Sequence, residues 1–133
     1  MPVSNLVERL HQFSVIEDSS VALMFRVLGA DAANITQASL SSITYAVYDL
    51  DATTPTSSVT TGTLTISDVV FDALQTDARW TVDDLGYNFR DDIAATVFSV
   101  GGHTYQVEHK FTATGGEIWH LVSRVQASPI LTS

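Results

Sequence analysis

The chain has 133 residues, of which 45% are hydrophobic and 16% charged, and it contains no cysteine. This length suffices for one domain with its own core, and the lack of cysteine excludes disulfides and thiolate metal sites. The formal net charge of -9 makes the average surface repel phosphate backbones and anionic membranes, so neither nucleic acid nor a membrane surface is expected as a partner.

The first 13 residues carry apolar side chains at spacings of three and four, which predicts a short helix or an extended arm leading into a first strand at 13–16. The segment lacks the basic region and apolar core of a signal peptide, and no later run approaches the roughly eighteen apolar residues of a membrane span. An apolar arm outside the strand pattern docks on its own domain or on a neighbour. The candidate partner-contact residues are Leu6, Leu10 and Phe13.

The next part of the chain alternates short apolar segments with turn formers. Residues 20–28 predict a central strand with both faces partly covered, and residues 41–50 predict a second strand. Residues 51–62 contain Pro55 and predict a loop or a sheet edge. Short elements are expected at 62–66 and 69–74.

Two further short strands are predicted at 78–82 and 86–90, separated by a turn or bulge at 83–86. In that turn the carboxylate of Asp84 is expected to accept hydrogen bonds from backbone amides around Gly86. Residues 91–100 then cross over to the last pair of strands.

The clearest pattern is a terminal β-hairpin. Its first strand places Tyr105, Val107, His109 and Phe111 on one face, which predicts that this face lies in the core. A turn at Gly115 and Gly116 connects it to a second alternating strand at 118–125.

The pattern gives roughly seven or eight short strands and predicts an all-β fold, a two-sheet antiparallel sandwich, because each sheet has one apolar face to bury. Residues 14–127 form this domain, between an N-terminal arm or short helix at 1–13 and a tail at 128–133.

The glycine pair before Tyr105 and the Gly-Gly hairpin resemble the last two strands of immunoglobulin-like and fibronectin-type-III-like sandwiches, in which Tyr105 would be the core tyrosine. More narrowly, residues 36–50, 86–92 and 103–111 resemble small immunoglobulin-like proteins of tailed bacteriophages. The resemblance covers residues 20–126, departs from antibody domains in having no cysteine, and does not assign the extra N-terminal segment.

This resemblance implies a structural protein of the virion head, neck, tail or baseplate. Such a protein would be made in the host cytoplasm and would contact other virion proteins and further copies of itself.

Two groups of residues carry side chains that could bind a metal ion. A zinc site needs three or four ligands, and of His103, His109 and His120 only the last two are expected to share a face across adjacent strands. Oxygen ligands suited to calcium occur at Asp83, Asp84 and Asn88, but their spacing is not that of an EF-hand loop. We therefore predict no metal and no cofactor.

The sequence has no Gly-x-Ser-x-Gly motif, and no enzymatic activity is predicted. Aromatic residues in strands usually belong to the core, although in a carbohydrate-binding module they form an exposed row that stacks on sugars. The sequence therefore favours a virion contact protein, with a carbohydrate-binding or adhesion module as the alternative. The aromatic residues considered are Trp80, Tyr87, Tyr105 and Trp119.

Overall fold

The computed structural model describes residues 10–29 and 32–130, with the side chains of residues 10 and 11 excepted. In this part of the chain, eight strands are joined by turns, one 3-10 turn and a single-turn helix. The elements are β1 (Leu10–Ile16), β2 (Val21–Phe25), the 3-10 turn (Gln37–Ser39), β3 (Leu40–Asp49), β4 (Ser58–Leu64), α1 (Ile66–Val69), β5 (Val70–Gln75), β6 (Tyr87–Ile93), β7 (Thr104–Ala113) and β8 (Ile118–Ser128).

The strands form two sheets. One has five strands in the order β1-β8-β7-β3-β4, and the other has three in the order β2-β6-β5. Every strand pair is antiparallel except β1 with β8, which is parallel. The predicted all-β two-sheet sandwich is therefore confirmed, and its strand order is that of the immunoglobulin-like sandwich, in which β2, β6 and β5 face β8, β7, β3 and β4.

The core lies between the inner faces of the two sheets. The predicted inward residues of β7 are all buried, including His109, which is 0% exposed. The ring of Phe89 on β6 contacts Phe111 on β7 at a centroid distance of 5.2 Å, and Phe111 stacks on Trp119 of β8 at 5.9 Å. Burial of each such side chain contributes roughly 1.5–3 kcal/mol, so this aromatic row is a principal contact between the sheets.

Tyr105 fixes the connection between β6 and β7. Its buried ring packs edge-on against Phe98 at 5.2 Å, and the backbone N–H of Val100 donates to its hydroxyl oxygen at 2.9 Å. A tyrosine at the start of this strand that bonds to backbone a few residues upstream is the tyrosine corner of immunoglobulin-like sandwiches.

Several local predictions were wrong. Strand β2 lies at an edge of its sheet and β6 at the centre, and residues 78–82 form a loop. The strand expected at 62–66 begins earlier, at Ser58, and Ile66 starts α1. Residues 91–93, expected in a crossover, continue β6. For β2 the periodicity predicts the extended geometry correctly, whereas its position in the sheet depends on distant strands.

The last four residues of the predicted N-terminal arm, 1–13, belong to β1. Residues 10–13 are extended and pair with β8, so these four residues are not helical. Residues 1–9 lie outside the described residues. Leu6 and the side chain of Leu10 are among the parts not described. Phe13 is half-buried, and its ring packs edge-on against Phe25 at 5.7 Å, within its own domain.

Candidate functional site at one end of the sandwich

Three connections meet at one end of the sandwich, which we call the loop end. They are residues 26–29 and 32–39 between β2 and β3, 76–86 between β5 and β6, and 114–117 between β7 and β8. The strand registers require this, because Phe25 pairs with Phe89 near the start of β6, and Leu40 pairs with Ala113 at the end of β7.

The β5–β6 loop is held together by the carboxylate of Asp83. One oxygen accepts hydrogen bonds from the backbone amides of Leu85 and Gly86 and from the indole N–H of Trp80, at 2.9, 3.2 and 3.1 Å. The other oxygen pairs with the Arg26 guanidinium at 2.7 Å. These donors, the Arg26 bond above all, hold the pKa of Asp83 well below its usual range.

Asp77 provides a second anchor at the start of the same loop. Its carboxylate accepts from the backbone amide of Arg79 at 2.8 Å and from the hydroxyl of Tyr87 at 3.0 Å. The Arg79 amide is the main reason that the pKa of Asp77 is lowered, and burial is the main reason that the pKa of Tyr87 is raised. The ring of Trp80 lies 5.7 Å from that of Tyr87. Asp77 therefore holds the start of the loop, and Asp83 holds its end.

The glycine at the end of this loop is required by the geometry. Gly86 has a φ of 104°, and a side-chain carbon at this position would lie 2.3 Å from the carbonyl oxygen of Gln75. The backbone at the start of β6 therefore lies in direct contact with the backbone at the end of β5.

This ordered loop presents apolar side chains to solvent. Val82 is 72% exposed and Leu85 is 62% exposed. Leu28 and Ile118, at the same end of the sandwich, are exposed as well. Single exposed aliphatic residues are common on protein surfaces, but here four of them occur at one end, two on a loop that many hydrogen bonds hold in one conformation. Such an arrangement suits contact with another macromolecule, because little ordering entropy is lost on binding.

A cavity of about 440 Å³ lies between the β2–β3 connection and the β7–β8 turn. Trp119 lines it, with its ring stacked on Phe111 and its indole N–H buried without a hydrogen-bond acceptor. The other polar residues that line the cavity are Asn34, Thr36, Ser39, Thr114 and Glu117. Its size and polar rim suit a small polar ligand.

The three histidines named as candidate zinc ligands lie apart from one another. His103 pairs with Asp49 at 2.7 Å at the opposite end of the sandwich, and His109 lies in the core. His120 is exposed and pairs across the ladder with Lys110, on the other face from His109, so the prediction that His109 and His120 share a face was wrong. Within the described part of the chain, no group of three or more His, Asp or Glu residues is placed to hold a metal ion.

Two of the three candidate calcium ligands have other partners. Asp83 is bound as described above, and Asp84 is exposed. The backbone amides near Gly86 are bonded by Asp83, so their assignment to Asp84 was wrong. The side chain of Asn88 is buried and bonds both to the amide and to the carbonyl of Val27, at 2.7 and 3.0 Å. Asn88 therefore joins β6 to the residues that follow β2.

One polar pair in the core is not indicated by any local sequence pattern. Nε2 of His109 on β7 lies 2.7 Å from a carboxylate oxygen of Asp91 on β6, so the pair joins the two sheets. Ser123 is also buried, and its hydroxyl and Nδ1 of His109 have no partner in the part of the chain described. His109 and Ser123 are fully buried between the sheets, and we assign the pair of His109 and Asp91 a structural role.

None of the four candidate sugar-binding aromatic residues is exposed. Trp80 and Trp119 are half-buried, and Tyr87 and Tyr105 are buried. The row of exposed rings that would mark a carbohydrate-binding face is therefore not formed by these residues.

Comparison of the chain with protein-family models, with curated proteins and with solved structures finds no match. No helix in the described residues is long and apolar enough to cross a membrane.

Proposed function

We propose that this protein is a non-enzymatic structural subunit of a bacteriophage virion, in the head decoration, neck, tail or baseplate, that acts through protein–protein contacts. Its partners are other virion proteins and further copies of itself. The observation that carries the proposal is the β5–β6 loop, which holds Val82 and Leu85 in solvent on a rigid framework. The sequence resemblance to immunoglobulin-like phage proteins supplies the setting.

The loop has the properties of a contact surface. Apolar side chains that are already ordered before binding lose little conformational freedom when a partner covers them. Val82 and Leu85 flank Asp83, whose bonds to Trp80 and Arg26 fix the backbone between them. Since these bonds already exist in the single chain, the loop does not have to become ordered when a partner covers it.

The charge of the chain favours protein partners. With a net charge of -9, the surface repels phosphate backbones, which disfavours packing against nucleic acid inside a particle. An apolar contact between protein subunits does not require a basic surface.

The proposal can be tested by fractionating particles from the producing culture on a density gradient. Mass spectrometry of the fractions then shows where the chain sediments. We expect the chain to sediment with intact virions. A Val82→Asp/Leu85→Asp variant should fold normally and be depleted from particles, whereas Asp84→Ala, a change of the exposed neighbour, should be incorporated normally. A chain found only in the soluble fraction would overturn the proposal.

A carbohydrate-binding or adhesion module is the second candidate, because Trp119 and polar groups line the cavity at the loop end. Here Asn34→Ala and Glu117→Ala are suitable variants, since both side chains line the cavity and are exposed. Binding on a glycan array that disappears in both variants, with unchanged melting temperatures, would favour this function. Identical glycan signals in the variants and the parent chain would exclude the cavity as the site.

A further inference from the structure

A second cavity, of about 490 Å³, lies at the side of the sandwich, and we call it the side cavity. Strand β5 pairs with β6 only at Val70 with Phe89 and at Gln75 with Tyr87, so residues 90–93 of β6 continue beyond that pairing. The single-turn helix α1 contacts β6 in this region. The polar residues that line the side cavity come from the end of β4, from α1 and from β6: Thr63, Thr65, Asp68, Arg90, Asp91 and Asp92.

One carboxylate of the side cavity is almost entirely buried. The side chain of Asp91 is 9% exposed, and its Oδ2 lies 2.7 Å from Nε2 of His109. Its other oxygen, Oδ1, accepts no hydrogen bond from the described residues. A buried carboxylate with a single hydrogen bond is incompletely compensated for the water it has lost. Since Asp91 lines the side cavity, a cation bound there would complete its contacts.

The side cavity carries an excess of negative charge. Asp68 on α1 is exposed and forms no ion pair with a described residue. Asp92 is paired with Arg90, whose Nε and terminal nitrogen lie 2.8 and 2.9 Å from its two oxygens. With three carboxylates and one guanidinium, the formal charge of the lining is -2. The unbalanced charge is that of Asp68 and Asp91.

The acceptors of the side cavity suit an alkylammonium group better than other cations. No three His, Asp or Glu of the described chain are placed to hold a metal ion. A guanidinium pairs with both oxygens of a carboxylate, whereas His109 already occupies one oxygen of Asp91. An ammonium is a compact charge with three donors, which suits single oxygens such as those of Asp91 and Asp68. An alkyl stem would contact the apolar lining, which is Leu64, Val69 and Phe71.

We propose that the side cavity binds the ammonium group of a lysine side chain from a partner protein, with Asp91 and Asp68 as its acceptors. The choice of a protein lysine rests on the proposed function, in which the partners are proteins, whereas the ammonium site does not depend on it. The net charge of -9 favours a partner with a basic surface. The only lysine of the chain itself, Lys110, is exposed on the outer face of β7, where it pairs across the ladder with His120.

Titration of the isotope-labelled chain, followed by its amide chemical shifts, tests the site. The probes are n-butylammonium chloride, which has the stem and charge of lysine, n-butanol, which has the stem without the charge, and sodium chloride. We expect only butylammonium to give saturable shifts, centred on the amides of residues 63–71 and 90–92. Equal shifts with butanol or with sodium chloride would overturn the proposal. Tighter binding of n-butylguanidinium or of calcium at the same amides would overturn it as well.

Two variants of the acceptors sharpen the test. Asp68→Asn changes an exposed residue, and we expect it to raise the dissociation constant of butylammonium about tenfold. Asp91→Leu/His109→Leu removes the buried carboxylate together with its partner and should abolish saturable binding. The amide spectra also report whether each variant is folded. Unchanged binding in Asp68→Asn would contradict the proposed site.

Asp84→Asn is the matched control, because it removes the same charge from an exposed residue outside the side cavity. It should bind butylammonium as the parent chain does. Equal weakening in Asp84→Asn and Asp68→Asn would show that the overall charge of the chain attracts the probe, and the site would be rejected.

A lysine within peptide bonds identifies the source of the ammonium group. Nα-acetyl-lysine N-methylamide should shift the same amides with an affinity similar to that of butylammonium. If butylammonium binds and this derivative does not, the site takes a free amine and the protein source is wrong. A chain that binds neither probe but sediments with virions would lose this site and keep the proposed function. A chain that binds both but is absent from particles would lose the virion function alone.

Discussion

The ring of Tyr45 lies over the α-carbon of Gly62, so that a side-chain carbon placed on this glycine would be 2.8 Å from Cε1 and the hydroxyl oxygen of the tyrosine. The two residues are direct partners across β3 and β4. Glycine in a strand has no side chain to pack, and a cross-strand aromatic ring compensates by covering the exposed backbone. The pair therefore fixes the register of an edge strand that otherwise consists largely of Ser and Thr.

The first prediction is that the effect of Gly62→Ala on stability depends on Tyr45. In the parent chain the new methyl group displaces the ring, and we expect a loss of about 1 kcal/mol. In a Tyr45→Ala background the same change should be neutral or stabilising by a few tenths of a kcal/mol, because alanine loses less backbone entropy than glycine on folding. Urea unfolding of the four proteins measures the coupling free energy.

Thr61→Ala is the control for that cycle, since Thr61 is the exposed neighbour of Gly62. Its effect should be the same with and without Tyr45. A Gly62→Ala effect that is equal in both backgrounds would show that the ring does not stabilise the strand.

The sequence predicted those parts of the fold that depend on alternation within one strand. Tyr105, Val107 and Phe111 share a face in the sequence and are buried in the structure, because a half-buried strand has a period of two wherever it lies. The same pattern could not place β2 at a sheet edge, since that position depends on β6, more than sixty residues later in the chain.

The loop-end site was the part least accessible to sequence reasoning. Trp80 and Val82 alternate like strand residues, but Trp80 donates its indole N–H to Asp83 while Val82 lies in solvent. The carboxylate of Asp83 also reaches Arg26, a partner that no local pattern indicates. The run Asp-Asp-Leu-Gly at 83–86 does predict a turn, but not which of its two aspartates accepts the amides.

The second prediction concerns acid. The pKa of Asp83 is lowered in the folded chain, mainly by Arg26, relative to about 3.9 in an unfolded chain. A lowered carboxyl pKa stabilises the fold at pH values above the unfolded pKa, and this contribution is lost as the pH falls through the folded pKa. Asp83→Asn should therefore destabilise the protein clearly at pH 6 and less at pH 2.5, as measured by urea unfolding at each pH.

Asp84→Asn changes the exposed neighbour and should leave stability nearly unchanged at both pH values. If Asp83→Asn lowered stability by the same amount at pH 6 and at pH 2.5, the ion pair with Arg26 would not be the source of the effect.

The third prediction concerns the buried pair of Asp91 and His109. His109→Leu removes the partner of a buried carboxylate, and we expect a loss of roughly 3–5 kcal/mol. Replacing both residues by leucine should recover much of this loss, because no unpaired polar group then remains between the sheets. Thermal unfolding followed by circular dichroism compares the parent chain, His109→Leu, Asp91→Leu and the double variant. A double variant that is as unstable as the sum of the two single variants would contradict a direct interaction.

The fourth prediction isolates the hydroxyl of Tyr105. Tyr105→Phe keeps the ring against Phe98 and removes only the acceptor of the Val100 amide, so the expected loss is about 1 kcal/mol in urea unfolding. Tyr48→Phe is the matched control, because Tyr48 is half-buried on β3 at a position that alternates with the inward residues, and its effect should be near zero.

Amide hydrogen exchange gives a second readout, because the Val100 N–H should lose protection in Tyr105→Phe while amides in the middle of β7 keep theirs. Equal protection at Val100 in the variant and in the parent chain would show that the tyrosine corner does not hold the β6–β7 connection.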